Sequence, residues 1–329
     1  MKAITRRKYG SPNVLQLTEI DPPKPAPGKL LLKVAAVSVN PYDWHLLRGE
    51  PYLLRLMFGL FSPKQKGLGA DVAGTVVGIG DGAEGFAIGD EVFGWGEETF
   101  AEFALVKATS VAQKPKAMTF ESAACLPCAG ITALQALRDK AGVQPGQHVL
   151  VNGAAGGVGT LAVQIAKSLG ASVTGVCSAA SADLVRSLGA DDVVDYSSED
   201  FSKATRTFDV VLDLVGNRSL RAFRRAAGRN GVVVLAGGSK GKWFAPMKLA
   251  AKAIAQDRFV PQRLETLMAN VGTVDLEVHS QLVLRGDVTP VIEETFAFSD
   301  AASAVALVER GHVHGKVVLS VAESRGDRW

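Results

Sequence analysis

The sequence predicts an α/β protein in two parts: a β-rich domain forming a partly open barrel, and a parallel sheet doubly wound by helices. Three observations carry that expectation. At 329 residues the chain is long for a single core. Its texture changes near residue 125 from short strands and turns to alternating strand and helix, and changes back near 264. In the middle part stands "VNGAAGGVGTLAVQIAKSLG" (Val151–Gly170), with four glycines and two alanines in residues 153–160, followed by a helical pattern.

The elements follow in order. "LLLKVAAVSVN" (Leu30–Asn40) is a β-rich run after the turn-forming "DPPKPAPGK". "DVAGTVVGIGDGAEGFAIGDEVFG" (Asp71–Gly94) breaks into short apolar pieces at its glycines, and "FAEFALV" (Phe100–Val106) alternates with period two. Many short strands between Gly and Pro turns suggest the barrel. Beyond about 125, "HVLVNG", "SVTGVC", "DDVVDY", "FDVVLDLVG" and "GVVVLAGG" are apolar runs of buried-strand length, most of them separated by helical periods. After about 264, "LVLRGDVTPVIEETFAF", the Ala-rich helix "DAASAVALVERG" and the strand "GKVVLSV" return to the first texture. The domain limits are therefore 1–124 with 265–329 for the β-rich domain, and 125–264 for the inserted one. Within 241–264, Met247, Ala250, Ala251 and Ile254 share a helical face that packs on the core or, with Trp243, Phe244 and Phe259, lines an apolar substrate wall.

Composition excludes several classes. A net charge of +3 argues against a nucleic-acid or membrane surface as partner. No apolar run follows the Arg6–Lys8 cluster as a secretory signal requires, and none is long enough to span a bilayer. Three cysteines make no disulfide framework, which points to a reducing compartment such as the cytoplasm. Nor do they make a zinc site, and the five histidines show no ligand spacing. Cys125 and Cys128 have C-x-x-C spacing, but they fall at an Ala-rich helix end and read as small buried apolar residues.

The glycine-rich turn carries the chemistry. His148–Asn152 reads as a strand and Val158–Leu169 as a helix whose Val158, Ala162, Ile165 and Leu169 share one face. Such a turn points free N–H groups and a positive helix terminus at one spot, and glycine lets a pyrophosphate approach the backbone. Ala154 stands at the first position of the G-x-G-x-x-G pattern, Gly156 at the second and Gly159 at the third. The alternative is a packing turn without a ligand; the surrounding βαβ units favour a dinucleotide. Ligands of such sheets sit at the C-terminal strand ends. The candidate cofactor residues are therefore Gly153, Ala155, Gly156, Gly157 and Val158, then Cys177, Ser178 and Ser181, then Tyr196, Val215, Gly216 and Asn217, then Ala236, Gly237 and Gly238. Thr132 joins them, at the start of the helix entering the cofactor domain. The second strand ends "VCSAAS", without the carboxylate that grips an NAD ribose, so NADPH is the expected cofactor. Asp213 is a strand-end cap.

"SVNPYDWHLLRGEPY", "GADVAGTVVGIG", "GDEVFGWG", "FAEFALV", "LPCAGITALQAL", the glycine segment and "GHVHGKVVLSV" together resemble the zinc-independent branch of the medium-chain dehydrogenase/reductase superfamily. The match is to its quinone-oxidoreductase-like proteins. The resemblance implies a GroES-like substrate domain, a Rossmann domain carrying NADPH, and a cleft between them. It also implies a homodimer that reduces quinones or α,β-unsaturated carbonyls, here small and hydrophobic ones. Where the wider superfamily places zinc ligands, this chain has Ser38, Asn40, Gly69, Ala70 and Asp71, so no metal is expected. The resemblance further implies a polar trio, Asn40, Asp43 and Tyr52, to meet the charge developing on the substrate oxygen. Tyr52 would be the proton donor, with a turn or cap as the alternative for Asp43. It also implies a hydrogen bond from Tyr196 near the 2′-phosphate and a phosphate contact by Lys316; for Lys316 the alternative is a solvated side chain. Other readings are an enoyl-thioester reductase, or an NADPH-binding sensor or scaffold without catalysis.

Overall fold

In the computed structural model, which describes residues 1–203, 206–237, 245–257 and 260–321, the chain divides into two units. The first holds residues 1–128, Val271–Leu284 and the segment from Ile292 onward; the second holds Ala129–Asn270 and Arg285–Val291.

In the first unit, β1 (Lys2–Thr5) and β2 (Gln16–Glu19) form an antiparallel ribbon. Next comes β3 (Lys29–Val39), whose alternation buries Leu30, Leu32 and Val34 and leaves Lys33 exposed. After it come α1 (Pro41–Arg48), α2 (Arg55–Phe58), β4 (Asp71–Ile79), β5 (Glu91–Trp95), β6 (Phe103–Lys107), β7 (Val111–Gln113) and α3 (Phe120–Ala124). The chain passes into the second unit within α4 (Pro127–Leu134). There follow β8 (His148–Asn152), α5 (Gly157–Ser168), β9 (Ser172–Cys177), α6 (Ala182–Ser187), β10 (Asp192–Asp195), β11 (Phe208–Asp213), α7 (Leu220–Ala226), β12 (Ala227–Leu235), α8 (Ala245–Gln256) and β13 (Arg263–Thr266). The first unit is completed by α9 (Thr273–Leu284), β14 (Ile292–Ala297), α10 (Ala301–Arg310) and β15 (Lys316–Ser320).

β14-β15-β3-β4-β5-β7 form the path of a seven-stranded sheet in which β6 also pairs with β3. β15 thus brings the C-terminal Lys316 to the end of β3 just before α1, through the pairs Val317↔Val39 and Val318↔Ser38. The second unit is a six-stranded parallel sheet, β10-β9-β8-β11-β12-β13. The chain runs outward from β8 to one edge, returns, and runs from β11 to the other. The topological switch therefore lies between β8 and β11, where open α/β sheets bind ligands.

Two expectations need correction. The stretch after 264 is not wholly β-like: "LVL" ends the helix α9. Its buried residues (Leu276, His279, Ser280 and Leu282) mix apolar and polar, so no clean apolar stripe marks the helix. α5 is buried all round from Gly159 to Ala166. Gln164 ties the segment 285–291 across it, donating to the Thr289 carbonyl at 3.0 Å and accepting from the Thr289 N–H at 2.8 Å. α8 faces the core with Leu249 and Ala253, while Ala251 and Ile254 are exposed. An Ala-rich helix carries apolar residues on several sides, and periodicity alone does not select among them. Gly238, Trp243, Phe244 and Phe259 lie outside the described residues, as do the side chains of Met247 and Ala250.

Candidate functional site

The second unit presents a cradle made of backbone. β8 ends at Asn152, and the chain turns through Gly153 (φ 92°). The N–H groups of Gly153 and Ala154 both donate to the Val176 carbonyl on β9, at 3.1 and 3.0 Å, which fixes the turn to the sheet. Gly156 is the N-cap of α5 and has no side chain to cap it; no acidic residue stands in the first turn. The first N–H groups of α5 therefore lack intrahelical partners and face a spot that favours an anion.

The two motif glycines do different work. A Cβ on Gly159 would lie 2.0 Å from the Gly153 carbonyl oxygen and 2.7 Å from the Ala154 carbonyl carbon, so this glycine lets helix and strand pack. A Cβ on Gly156 would meet only the Gly153 carbonyl oxygen, at 3.5 Å. Among the described residues nothing requires glycine there, so the backbone is left open to close approach.

Across the switch, Asn152 donates to Asp213 at 2.7 Å and to Asn217 at 3.0 Å. Asp213 is buried and closes the turn after β11, accepting from Val215 N–H at 3.2 Å and Gly216 N–H at 3.1 Å. Burial pushes its carboxyl up, and those N–H groups oppose the shift. Gly237 also stands at a close backbone approach, its Cβ position 2.1 Å from the Leu214 carbonyl carbon. The candidates Gly153, Ala155, Gly156, Gly157, Val158, Val215, Gly216, Asn217, Ala236 and Gly237 thus lie at the C-terminal ends of three adjacent strands. Cys177 and Tyr196 end the next two. Thr132 is not at a helix start, as expected, but inside α4, because Pro127 already opens that helix.

At the end of β9, Ser178 and Ser181 share a hydroxyl hydrogen bond of 2.8 Å, and Cys177 is buried with its thiol pushed up by desolvation. The charge of Arg186 opposes that shift, while its guanidinium lies 3.3 Å from the Asp183 carboxylate. Sequence reasoning passed over Asp195. It pairs with Cys177 in the β10–β9 register and is half-buried. The hydroxyl and N–H of Ser197, the Ser198 hydroxyl and the Ala179 N–H hold its carboxyl below the usual range. A carboxylate does therefore face this strand end, contributed by the neighbouring strand.

In the first unit the site is built from side chains. Asp71, fully buried at the start of β4, accepts at one oxygen from Ser38 Oγ (2.7 Å), Asn40 Nδ2 (2.9 Å) and Lys316 Nζ (3.4 Å). Its other oxygen accepts from the Cys128 N–H at 2.8 Å, at the N-terminus of α4. Asn40 Nδ2 also donates to the Ser38 carbonyl at 3.3 Å, and Asn40 Oδ1 accepts from Lys316 Nζ at 2.5 Å. The Asn40 amide is saturated, which corrects the expectation that it meets the substrate oxygen. Lys316 is likewise neither solvated nor aimed at a phosphate: it is buried, and its ammonium neutralises Asp71. The reason is register, since β15 inserts the residue beside Asn40.

Asp43 takes the alternative role. One carboxylate oxygen accepts from the Asn40 N–H at 2.7 Å in a capping box at the start of α1; the other accepts from the Gly69 N–H at 3.2 Å. Burial pushes this carboxyl up to about 7 against the pull of those N–H groups. Tyr52 is half-buried, with the Arg55 guanidinium 4.7 Å from its ring centroid. Arg55 also lies 4.5 Å from the Tyr9 ring and donates to the Gly49 and Arg48 carbonyls, each at 3.0 Å. Arg55, Asp71 and Ser38 were missed because their partners are brought together by the fold; Tyr42 was missed beside Asp43. Burial pushes the Tyr42 phenol up to about 12. Cys125 and Cys128 form no disulfide, and burial pushes both thiols up, which disfavours the nucleophilic thiolate. Among the described residues no group of three or more His, Cys, Asp or Glu side chains could hold a metal ion.

Comparison with known proteins bears on both units. Residues 26–116 match a family described as alcohol dehydrogenase GroES-like domain, and residues 188–319 one described as zinc-binding dehydrogenase. Among curated relatives, the mouse (Mus musculus) "NAD(P)H oxidoreductase RTN4IP1, mitochondrial" is 35% identical, over 95% of this chain and 87% of its own length. The Arabidopsis thaliana "Chloroplast envelope quinone oxidoreductase homolog" is 32% identical over 97% of this chain and 98% of its own. The Solanum lycopersicum "2-methylene-furan-3-one reductase" is 34% identical over 97% and 79%. Among solved structures, the quinone oxidoreductase from Coxiella burnetii superposes with a TM-score of 0.87 at 30% identity, covering 98% of this chain and 99% of that one.

Proposed function

The chain belongs to the medium-chain dehydrogenase/reductase superfamily, among its quinone-oxidoreductase-like members, and from that membership we propose an NADPH-dependent reductase of quinones or α,β-unsaturated carbonyls that works without zinc. The observation that carries the reading is the room left over Gly156, on the switch point of a parallel sheet. The residues fit a nicotinamide dinucleotide: the N-terminus of α5 receives the pyrophosphate, and the ends of β9 and β10 receive the adenosine half. When bound, that cofactor supplies the hydride. NADPH over NADH is supported by the hydroxyls of Ser178 and Ser181 and by Arg186.

Zinc is disfavoured by the donor set, although one of the two matching families is described as zinc-binding. Asp71 is already committed to Ser38, Asn40, Cys128 and the Lys316 ammonium. A metal ion there would have to displace a cation. The protein's own contribution to the chemistry is a proton at the developing oxyanion. With the Asn40 amide saturated and Asp43 tied to backbone, Tyr52 is that donor, and Arg55 holds its ring. Quinones need it little, since the hydroquinone anion is stabilised by its own ring; enolates need it more.

The test is NADPH oxidation with naphthoquinone, an enone and a crotonyl thioester, alongside metal analysis of the purified protein. Turnover of the first two with less than stoichiometric zinc is expected. Tyr52→Phe should lower enone turnover more than quinone turnover, with Tyr42→Phe as the comparison. Tight NADPH binding without turnover of any acceptor would leave a sensor or scaffold instead, and activity abolished by a chelator would restore the metal.

A further inference from the structure

The strongest unexplained surface is apolar and lies in the first unit. Five large side chains within nine positions stand out in solvent: Leu53 is 39% exposed, Leu56 66%, Met57 70%, Leu60 54% and Phe61 90%. Isolated exposed apolar residues are ordinary; a contiguous group marks a binding surface.

The segment is built, not frayed. The half-buried Phe58 packs on the first unit's core and Pro63 is buried. The Gly59 N–H donates to the Arg55 carbonyl at 2.9 Å, and the Lys64 N–H donates to the Phe58 carbonyl at 2.8 Å. Residues 59–63 therefore form a closed tip with anchors facing inward and Leu60 and Phe61 facing outward. Tyr9 pins one side, its hydroxyl donating to the Gly59 carbonyl at 2.7 Å, and the Arg6 N–H donates to the Lys66 carbonyl at 2.8 Å.

Charge surrounds the tip unevenly. Arg7, Lys8, Lys64 and Lys66 are all exposed, and none of them is in an ion pair among the described residues. Glu97 and Glu98 face the 65–67 stretch through Gln65 and the Gly67 N–H, and they offset only part of it. Residues 51–70 contain no acidic residue. The net charge of +3 hides this local excess.

We infer that this tip docks the protein on an anionic lipid surface. Leu56, Met57, Leu60 and Phe61 enter the acyl boundary, and the flanking lysines and arginines meet the headgroups. A second copy of the chain fits less well, because a two-fold contact through this patch would set like charges against each other. The inference does not depend on the acceptor or on catalysis.

The test is co-sedimentation of the full chain with phosphatidylcholine vesicles containing about one-third phosphatidylglycerol, and with pure phosphatidylcholine. Binding to the anionic vesicles is expected, weaker at high salt and at least about tenfold weaker for Leu60→Ser/Phe61→Ser. Lys64→Glu/Lys66→Glu should lose the preference for anionic lipid. Both pairs are exposed, so melting temperatures should match the parent protein. Failure to bind either vesicle overturns the inference. So does binding that Leu60→Ser/Phe61→Ser leaves intact. An oligomer dissolved by Leu60→Ser/Phe61→Ser, without vesicle binding, assigns the patch to a second copy instead.

Discussion

Two alanine substitutions three residues apart separate a dinucleotide cradle from a packing turn. At Gly159 the new Cβ would meet backbone at 2.0 Å. Neither Gly153 nor Ala154 has a side chain that could give way, and both are held to Val176. The helical gain of alanine over glycine, up to about 1 kcal/mol, is outweighed by overpacking of about 1–3 kcal/mol or more. Gly159→Ala should therefore melt several degrees lower and bind cofactor poorly as a consequence. At Gly156 the backbone is extended (φ −77°, ψ 176°), which alanine adopts freely, and its Cβ has room. Gly156→Ala should keep its melting temperature, or gain from about 0.4 to 1 kcal/mol through the unfolded state. A methyl between helix terminus and diphosphate would lengthen charge-assisted hydrogen bonds worth about 1.5–3 kcal/mol each. Losing one weakens NADPH binding roughly 10- to 150-fold. Calorimetric titration with NADPH, beside thermal melts of both variants, reads the split. Unchanged affinity in Gly156→Ala would refute the cradle, and equal destabilisation of the two variants would reduce both glycines to packing.

The first unit's network predicts its own signature. Lys316→Met leaves Asp71 charged and buried and should cost about 3–5 kcal/mol in urea unfolding. Lys316→Met/Asp71→Asn should recover at least about 1 kcal/mol relative to the sum of the single variants, and strict additivity would deny the pairing. Asp195→Asn, at a half-buried position beside Cys177, should tighten NADPH roughly three- to fivefold at low salt and leave NADH weaker or unchanged; an equal effect on both would place the carboxylate away from the 2′ position. Because the Asp43 carboxyl rises from 3.8 to about 7 on folding, the native state holds the extra proton between those values. Stability from this group is present at low pH and lost as pH rises through about 7. Between pH 5.5 and 7 the loss should be about 2 kcal/mol. Comparing urea midpoints with those of Asp43→Asn across that range checks the sign; a parent protein that gains on Asp43→Asn as pH rises would reverse it.

What could be read along the chain was whatever is local. The parallel strands were legible because strands buried on both faces are runs such as "FDVVLD", and the turn from β8 into α5 because glycines cluster between a strand pattern and a helical one. α9 was not legible, because its buried face includes His279 and Ser280 as well as leucines. The polar trio was half legible. "NPYD" announced a turn, and Asp43 fills its cap; but Lys316 reaches Asn40 from 276 positions away, and no local pattern marks a lysine for burial. Asp195 is not legible for a related reason: it sits on β10, and only the parallel register with Cys177 brings its charge to the end of β9.

The two units divide their work by the kind of atom they use. In the second, the proposed ligand contacts are backbone N–H donors that cannot be withdrawn, so affinity for a diphosphate should survive most changes of side chain and depend on a few glycines. In the first, Ser38, Asn40, Asp71 and Lys316 satisfy one another and present little outward. Such a closed network makes a rigid floor but leaves the oxyanion to fewer donors. An acceptor that stabilises its own negative charge asks least of that floor. That favours quinones, and on the proposed reading it leaves enone chemistry to Tyr52, whose ring lies 4.7 Å from the Arg55 guanidinium.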